Sequence, residues 1–273
     1  MGALKMEKIG LIAGNGRFPI LFASEARKSG VEVIAVAHVG ETDPEIEKIA
    51  SEVTWIRVGQ LGRLIDVFRS AGVTDAVMAG GIKKTRIFDA RPDLRALLVL
   101  ARLKERKDDV ILRAFAEELE REKITIRDST LYLSSLLADE GEMTRALTRS
   151  EREDVRWGWR LAKEIGRLDI GQCIVVKEGV VLAVEAVDGT DAAIRRAGTL
   201  SSGGAVVIKV LKPQQDVRFD LPAVGPATID AMREANASVL AVEAKKTLLL
   251  ERSALIGKAR EARIAVVGWR DDG

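Results

Sequence analysis

Between Lys8 and Val77, short and almost continuously apolar runs rich in β-branched residues alternate with longer stretches of helical periodicity. That alternation leaves few folds open. KIGLIA, VEVIAVA, VTWIRV and TDAVMAG each read as a strand buried on both faces, because nothing polar interrupts them and turn residues bound them. The intervening spans 19–29, 43–50 and 61–71 read as helices, with Pro19 suited to a first helical turn, where a missing N–H costs nothing. Strands separated by helices join in parallel through right-handed crossovers. The expected architecture is α/β, a Rossmann-like parallel sheet with helices on both faces.

The pattern continues with two helical stretches, DLRALLVLARLKER and DDVILRAFAEELEREK, the second opening on aspartates that complement its N-terminal dipole. ITIRDSTLYL reads as one last strand. The segment 138–148 mixes charge with glycine and is poor in β-branched residues, which predicts a linker between an N-terminal domain over 1–137 and a C-terminal domain over 149–273. At 273 residues the chain exceeds the size at which single cores tend to split, so two domains are the expectation. The second half opens on a helix and a hairpin turned at Lys177-Glu178-Gly179, where glycine accepts a positive φ, and continues as a mixed α/β domain.

Composition narrows the function. With 43 basic against 41 acidic residues, no overall field gathers nucleic acid or an anionic membrane, so an anionic ligand needs a local site. A single cysteine, Cys173, forms no internal disulfide, and the expected setting is the reducing cytoplasm. The first residues hold too short an apolar run for a signal peptide, and no run approaches the roughly 18 apolar residues of a membrane span.

Two glycine-rich stretches fall where strands of the first sheet end. Gly14-Asn15-Gly16 meets the first helix, where small residues admit a phosphate and the helix N-terminus offers N–H groups. It departs from a dinucleotide fingerprint, because Pro19 stands where a third glycine belongs and the second strand ends at Ala37-His38 without an acid. Gly80 and Gly81, followed by Lys83, Lys84 and Arg86, suit a pyrophosphate by backbone approach and countercharge, or else form a basic surface loop.

In the second half, Glu185 closes a strand and Asp188, Gly189 and Thr190 lead into a helix; the latter stretch caps that helix or meets a ligand, and Glu185 points to solvent or to a cleft. In extended conformation Asp216, Arg218 and Asp220 share one face, opposite Val217, Phe219 and Leu221. A carboxylate pair flanking an arginine offers oxygens for a divalent cation and a fork for phosphate, or forms a solvated strand with an internal ion pair. His38 is the sole histidine, so a His-rich zinc site is excluded, and both it and Cys173 read as structural.

Across GLIAGNGRFP, AGGIKK, RKDDVILR, EIGRLDIGQCIVVKEGVVLAVEAVDGTDA and KPQQDVRFDLPAVGPATI, the chain resembles the two-domain UDP-2,3-diacylglucosamine diphosphatases of lipid A biosynthesis, unrelated to the calcineurin-like phosphoesterases. The resemblance implies water attack on the pyrophosphate of UDP-2,3-diacylglucosamine, assisted by Mg2+ or Mn2+, releasing UMP and 2,3-diacylglucosamine 1-phosphate. It places the essential aspartate on Asp220, in the C-terminal domain. Asp216 and Glu185 are then candidate metal ligands beside Asp220, and Arg218 a catalytic phosphate contact. Gly14, Asn15, Gly16, Gly80, Gly81, Lys83, Gly189, Thr190 and Gln215 are candidate substrate contacts. A homodimer is implied, with peripheral contact to the cytoplasmic face of the inner membrane, and LRALLVLARL and STLYLSSLL are candidate acyl-chain contacts. The readings held against this one are an NAD(P)-dependent sugar-nucleotide oxidoreductase or epimerase and a non-catalytic lipid or nucleotide sensor.

Overall fold

The structure is a computed structural model that describes residues 7–82, 92–105, 108–219 and 221–270. Lys83, Lys84, Arg86 and Asp220 lie outside the described residues, as do the side chains of Asp108 and Asp109. The chain divides into two compact units. The first runs through Leu133 and includes the segment from Asp216; the second comprises Ser134–Gln215 and the chain from Leu221 on.

In the first unit, β1 (Lys8–Ala13), β2 (Glu32–His38), β3 (Glu52–Ile56), β4 (Asp75–Ala79) and β5 (Thr125–Ile126) form a parallel sheet in the order β3-β2-β1-β4-β5. The chain steps outward from β1 to β3, then returns to place β4 on the other side of β1. The loops leaving β1 and β4 therefore lie side by side at the point where open α/β sheets bind ligands. Helices α1 (Phe18–Lys28) and α2 (Leu61–Ala71) are the crossovers. α2 ends on Gly72 at φ 70°, a left-handed cap that suits glycine. It seats Leu64, Ile65 and Phe68 in the core, and a Cβ at Gly10 of β1 would stand 2.9 Å from the Phe68 ring, so glycine there makes room for the phenyl group. α3 (Leu94–Leu100) and α4 (Asp108–Arg121) complete the unit.

Two expected elements are shorter than predicted. Residues 43–50 form only a 3-10 turn (Pro44–Lys48), opened by Asp43 accepting from Glu45 N at 2.9 Å; Ile46 is its one buried residue, too little apolar surface to hold a full helix. ITIRDSTLYL pairs only over β5, because Asp128 accepts from both the N–H and the hydroxyl of Thr130, at 2.8 and 2.7 Å, and turns the chain.

The second unit is a mixed sheet in the order β6-β13-β11-β9-β7-β8. Its strands are β6 (Gly141–Glu142), β7 (Cys173–Lys177), β8 (Val180–Val184), β9 (Val206–Lys209), β11 (Val239–Glu243) and β13 (Ala265–Trp269). β9, β11 and β13 run parallel; β6, and β7 against both β8 and β9, are antiparallel. The predicted hairpin is present, its Glu178 and Gly179 at φ 49° and 73° and their N–H groups donating to Asp154 at 2.8 and 2.9 Å. α5 (Arg149–Arg167) covers one face through Val155, Trp159 and Ala162, and Gly158 allows the close approach: a Cβ there would lie 2.4 Å from Ile208 Cδ1. α6 (Thr190–Gly198), α7 (Pro226–Glu234) and α8 (Arg252–Glu261) cover the other face with Ile194, Ile229, Met232 and Leu255. A short ladder joins β10 (Ala223–Val224) to β12 (Leu248–Leu249).

The segment 138–148 is not a free linker. Ala138 is fully buried and donates to Thr247 O at 2.9 Å, β6 pairs with β13, and Met143 N donates to Val266 O at 2.8 Å. Its charges and glycine suit a sheet edge, where they discourage pairing with other chains. The segment from Asp216, expected within the C-terminal domain, packs with the first unit: Phe219 is buried in that unit's core and Val217 O accepts from Ser129 Oγ at 2.9 Å.

Candidate functional site

The two glycine loops of the first unit clasp each other. Gly14 N donates to Ala79 O at 2.8 Å and Asn15 N to Gly81 O at 2.7 Å. A Cβ on Gly14 would lie 2.4 Å from Gly81 O, and one on Gly80, whose φ is 78°, would lie 2.3 Å from Asn15 O. These glycines are thus required by the opposite loop, whatever ligand the edge receives. The N–H groups of Gly14 and Asn15 are consumed in this clasp, which leaves the first turn of α1 as the nearby source of unpaired backbone donors. Pro19 Cγ would stand 3.1 Å from a Cβ on Gly80, so the proline ring further closes the space that glycine leaves open.

Behind the clasp, Ala13 O accepts from Thr42 Oγ1 at 2.6 Å and from His38 Nδ1 at 2.9 Å. Burial, the dominant influence, lowers the His38 pKa below its ordinary value, so the ring is neutral and structural. In front of it opens a cleft of about 810 Å³, lined by Asn15, Gly16, Arg17, residues 39–44 and Trp55. Glu41, only 8% exposed, accepts from Asn15 Nδ2 at 3.1 Å. Arg17 pairs with Glu45 and stands 3.8 Å from Asp43. Glu41 and Trp55 escaped the sequence reading, which sought an acid at the end of β2; Glu41 lies three residues beyond His38, and its partner Asn15 comes from another loop.

In the second unit, the LDIGQ and VEAVDGTDA strings meet at one buried node. Glu185, 8% exposed, accepts from Thr190 Oγ1 at 2.6 Å and from Gln172 N at 3.2 Å. Thr190 in turn accepts from the buried Lys209 Nζ at 2.9 Å, and Lys209 also donates to Ala223 O. Gly171 is obligatory beside them, since a Cβ there would stand 2.0 Å from Glu185 O. Glu185 therefore faces neither solvent nor an open cleft, and Thr190 bonds the carboxylate while Gly189, at φ 84°, supplies the cap position of α6. Neighbouring Cys173 is fully buried, and burial pushes its thiol pKa up, leaving it inert.

Beyond β9 the chain is held from several sides. Glu243 accepts from Leu211 N at 3.0 Å and from Lys163 Nζ at 2.5 Å, and Lys163 also donates to Leu211 O at 2.9 Å. The Gln215 side-chain Oε1 accepts from Lys212 N at 3.1 Å and closes a turn.

The segment that follows corrects the strand expectation. Residues 217–219 form a turn, with Phe219 N donating to Asp216 O at 3.0 Å, so residues 216–219 do not alternate between two faces. The cause is local: Asp216 accepts from the backbone N–H of Arg218 at 3.1 Å and from its guanidinium, Nε at 3.1 and 3.3 Å and Nη2 at 2.8 Å, an arrangement that competes with extended structure. The Arg218 guanidinium lies 5.0 Å from the Phe219 ring centre and 3.7 Å from Glu120 Oε1. Those hydrogen bonds from Arg218 hold the Asp216 carboxyl below the usual aspartate range.

Asp216 and Glu185 are poor metal ligands in this arrangement, because both oxygens of each already accept hydrogen bonds from protein donors. Among the described residues no group of three or more His, Cys, Asp or Glu side chains is placed to hold an ion. On α3, Ala96 and Val99 face the core while Leu94, Leu97 and Leu98, at 74, 50 and 52% exposure, form an apolar stripe on its outer side.

Comparison with known proteins places both halves of the chain. The LpxI N-terminal domain model matches residues 8–136 and the LpxI C-terminal domain model matches residues 139–267. The chain is 33% identical to the UDP-2,3-diacylglucosamine pyrophosphatase LpxI of Caulobacter vibrioides over 96% of its own length and 98% of the relative's. Among solved structures, the ADP complex of N5-carboxyaminoimidazole ribonucleotide synthetase aligns at TM-score 0.29 and 12% identity, over 84% of this chain and 44% of that one. The biotin carboxylase subunit of pyruvate carboxylase aligns at TM-score 0.28 and 14% identity, over 66% and 35%.

Proposed function

The chain belongs to the LpxI family, and on that premise we infer that it hydrolyses the pyrophosphate of UDP-2,3-diacylglucosamine, yielding UMP and 2,3-diacylglucosamine 1-phosphate. The observation that carries this is the match to both family domains and to a relative of that activity along nearly the whole of both chains.

Water must attack one phosphorus while charge builds on the phosphoryl oxygens, so the task is to position the pyrophosphate and neutralise it. In our reading, Arg218 is the phosphate fork and Asp216 its positioning residue, since the carboxylate fixes the guanidinium plane. Asp220, on which the family resemblance places the essential aspartate, orients the attacking water. Mg2+ supplies countercharge and a water of lowered pKa when bound; given the occupied oxygens of Asp216 and Glu185, we assign its ligation chiefly to the substrate's own phosphates.

The acyl chains need an apolar surface. Leu94, Leu97 and Leu98 offer one, and it supports a peripheral position on the membrane that holds the substrate. No helix among the described residues is long and apolar enough to cross a bilayer. A homodimer completes the proposal. The test is to incubate the purified protein with UDP-2,3-diacylglucosamine and Mg2+, with and without chelator, and to assay UMP. UMP formation that the chelator abolishes is expected; no UMP with any divalent ion would sink the reading.

A further inference from the structure

We propose that the cleft between the β1 and β2 exits of the first unit is a nucleoside subsite, in which Glu41 takes a ribose hydroxyl and Trp55 receives the base. The inference rests on the nucleotide-linked substrate assigned above and specifies which part of it this cleft holds.

The lining of the cleft suits a nucleoside. Among the described lining residues, Arg17 pairs with Glu45 and lies beside Asp43, and Glu41 adds a buried carboxylate. A hydroxyl-bearing group is what such carboxylates accept. Glu41 is nine-tenths buried on a short loop, and Asn15 fixes its orientation with a hydrogen bond of 3.1 Å, so its rotamer is set before any ligand arrives. A carboxylate has room for about four hydrogen bonds, and a ribose hydroxyl is a donor that suits it. It comes just after the second strand of a parallel α/β sheet, where an acidic side chain reaches the ribose in dinucleotide-binding folds.

The same lining includes apolar groups, Val39, Pro44 and the ring of Trp55, whose Nε1 is anchored to Glu47 Oε1 at 2.6 Å. An anchored indole beside a sugar-binding carboxylate offers a planar base a stacking surface. Asn15 and Gly16 line the same cleft and precede the first turn of α1, so a nucleoside bound here leads its phosphates toward the helix N-terminus, where the N–H donors are.

The test compares UMP with 2′-deoxy-UMP by calorimetric titration against the full-length protein. Wild type should bind UMP roughly 10- to 100-fold more tightly than the deoxy form, the value of one hydrogen bond to a charged group. Glu41→Gln, which keeps the shape and the bond to Asn15, should bind UMP about as weakly as wild type binds the deoxy form and no longer distinguish the two. Trp55→Ala should weaken both nucleotides equally. Equal affinities of wild type for UMP and its deoxy form, or discrimination that persists in Glu41→Gln, would overturn the proposal, as would no binding of UMP at millimolar concentration. The wild-type comparison stands even if a variant does not fold. Turnover of UDP-2,3-diacylglucosamine measured on the same preparation separates the two readings: turnover without discrimination removes the subsite alone, and discrimination without turnover removes the hydrolase alone.

Discussion

Asp216 holds Arg218 by three separate groups, its backbone N–H, Nε and Nη2, across a single intervening residue. The guanidinium is thereby presented in one plane. Arg218→Lys keeps the charge but loses the fork, so kcat/KM should fall roughly 10- to 100-fold. Asp216→Asn keeps the size but weakens the grip, and should produce a smaller fall. The Asp216 pKa is depressed in the folded state, chiefly by Arg218, so the pair is complete above the ordinary aspartate value of 3.8 and is lost only as pH falls below it. Steady-state kinetics should therefore show KM flat from about pH 8 to pH 5; a KM rising across that interval would count against Asp216 as the group that orients Arg218.

Asp220→Ala should reduce turnover by at least about a thousandfold while substrate binding changes by no more than about threefold, because the group acts mainly in the transition state. Single-turnover UMP release and equilibrium binding check the two halves independently. Near-normal kcat in this variant would move the essential aspartate elsewhere.

Gly80 and Gly16 both have positive φ but differ in surroundings. At Gly16 no atom lies within 4 Å of where a Cβ would stand, so Gly16→Ala carries backbone strain alone, about 1 kcal/mol. At Gly80 a Cβ would also meet Asn15 O at 2.3 Å, and the clasp between the loops must open. Gly80→Ala should cost about 2–4 kcal/mol in urea denaturation and reduce activity as well. Equal losses for the two variants would show that the clasp contributes nothing.

The strands at both cores were legible because Ile9, Leu11, Val33 and Val36, like Val206 to Ile208, are buried on a two-faced sheet, and burial on both faces leaves a continuous apolar run in the sequence. What escaped was decided by side chain to backbone bonds. Asp216 converts an alternating pattern into a turn, and Asp128 cuts a strand short by the same device. The segment 138–148 looked like a linker because an exposed sheet edge and a linker share a charged, glycine-containing composition. The sequence left Glu185 open between solvent and a cleft because its partners, Gln172 and Thr190, lie on either side of the hairpin and only folding brings them to it. Of the candidate site, the glycine loops were readable from their place after strands; Glu41 was not, since its role arises from a loop 26 residues from Asn15.

Arg145 and Glu151 give the second unit a pH-sensitive joint. Arg145 Nη1 and Nη2 donate to the two Glu151 oxygens at 2.9 and 2.7 Å, while the same guanidinium reaches Arg263 O and Ser238 O, tying the β6 arm and the start of α5 to the ends of neighbouring strands. Glu151 also accepts from Thr148 N at 2.9 Å, completing a capping box. Burial alone would raise its pKa, but Arg145 and the Thr148 N–H override it and bring the value from 4.5 down to about 2. A depressed folded-state value means that the stabilisation is full above about pH 4.5 and disappears as pH falls toward 2. The nominal worth of that shift, about 3 kcal/mol, shrinks to roughly 2 because Arg145 is one-third exposed and water screens the pair. Glu151→Gln should therefore lower unfolding stability by about 2 kcal/mol at pH 7, and the gap to wild type should narrow steadily in urea titrations at pH 5, 4 and 3. A gap that stays constant over that range would show that the charge of Glu151 contributes nothing, because a stabilisation that depends on ionisation must fade as the carboxylate is protonated.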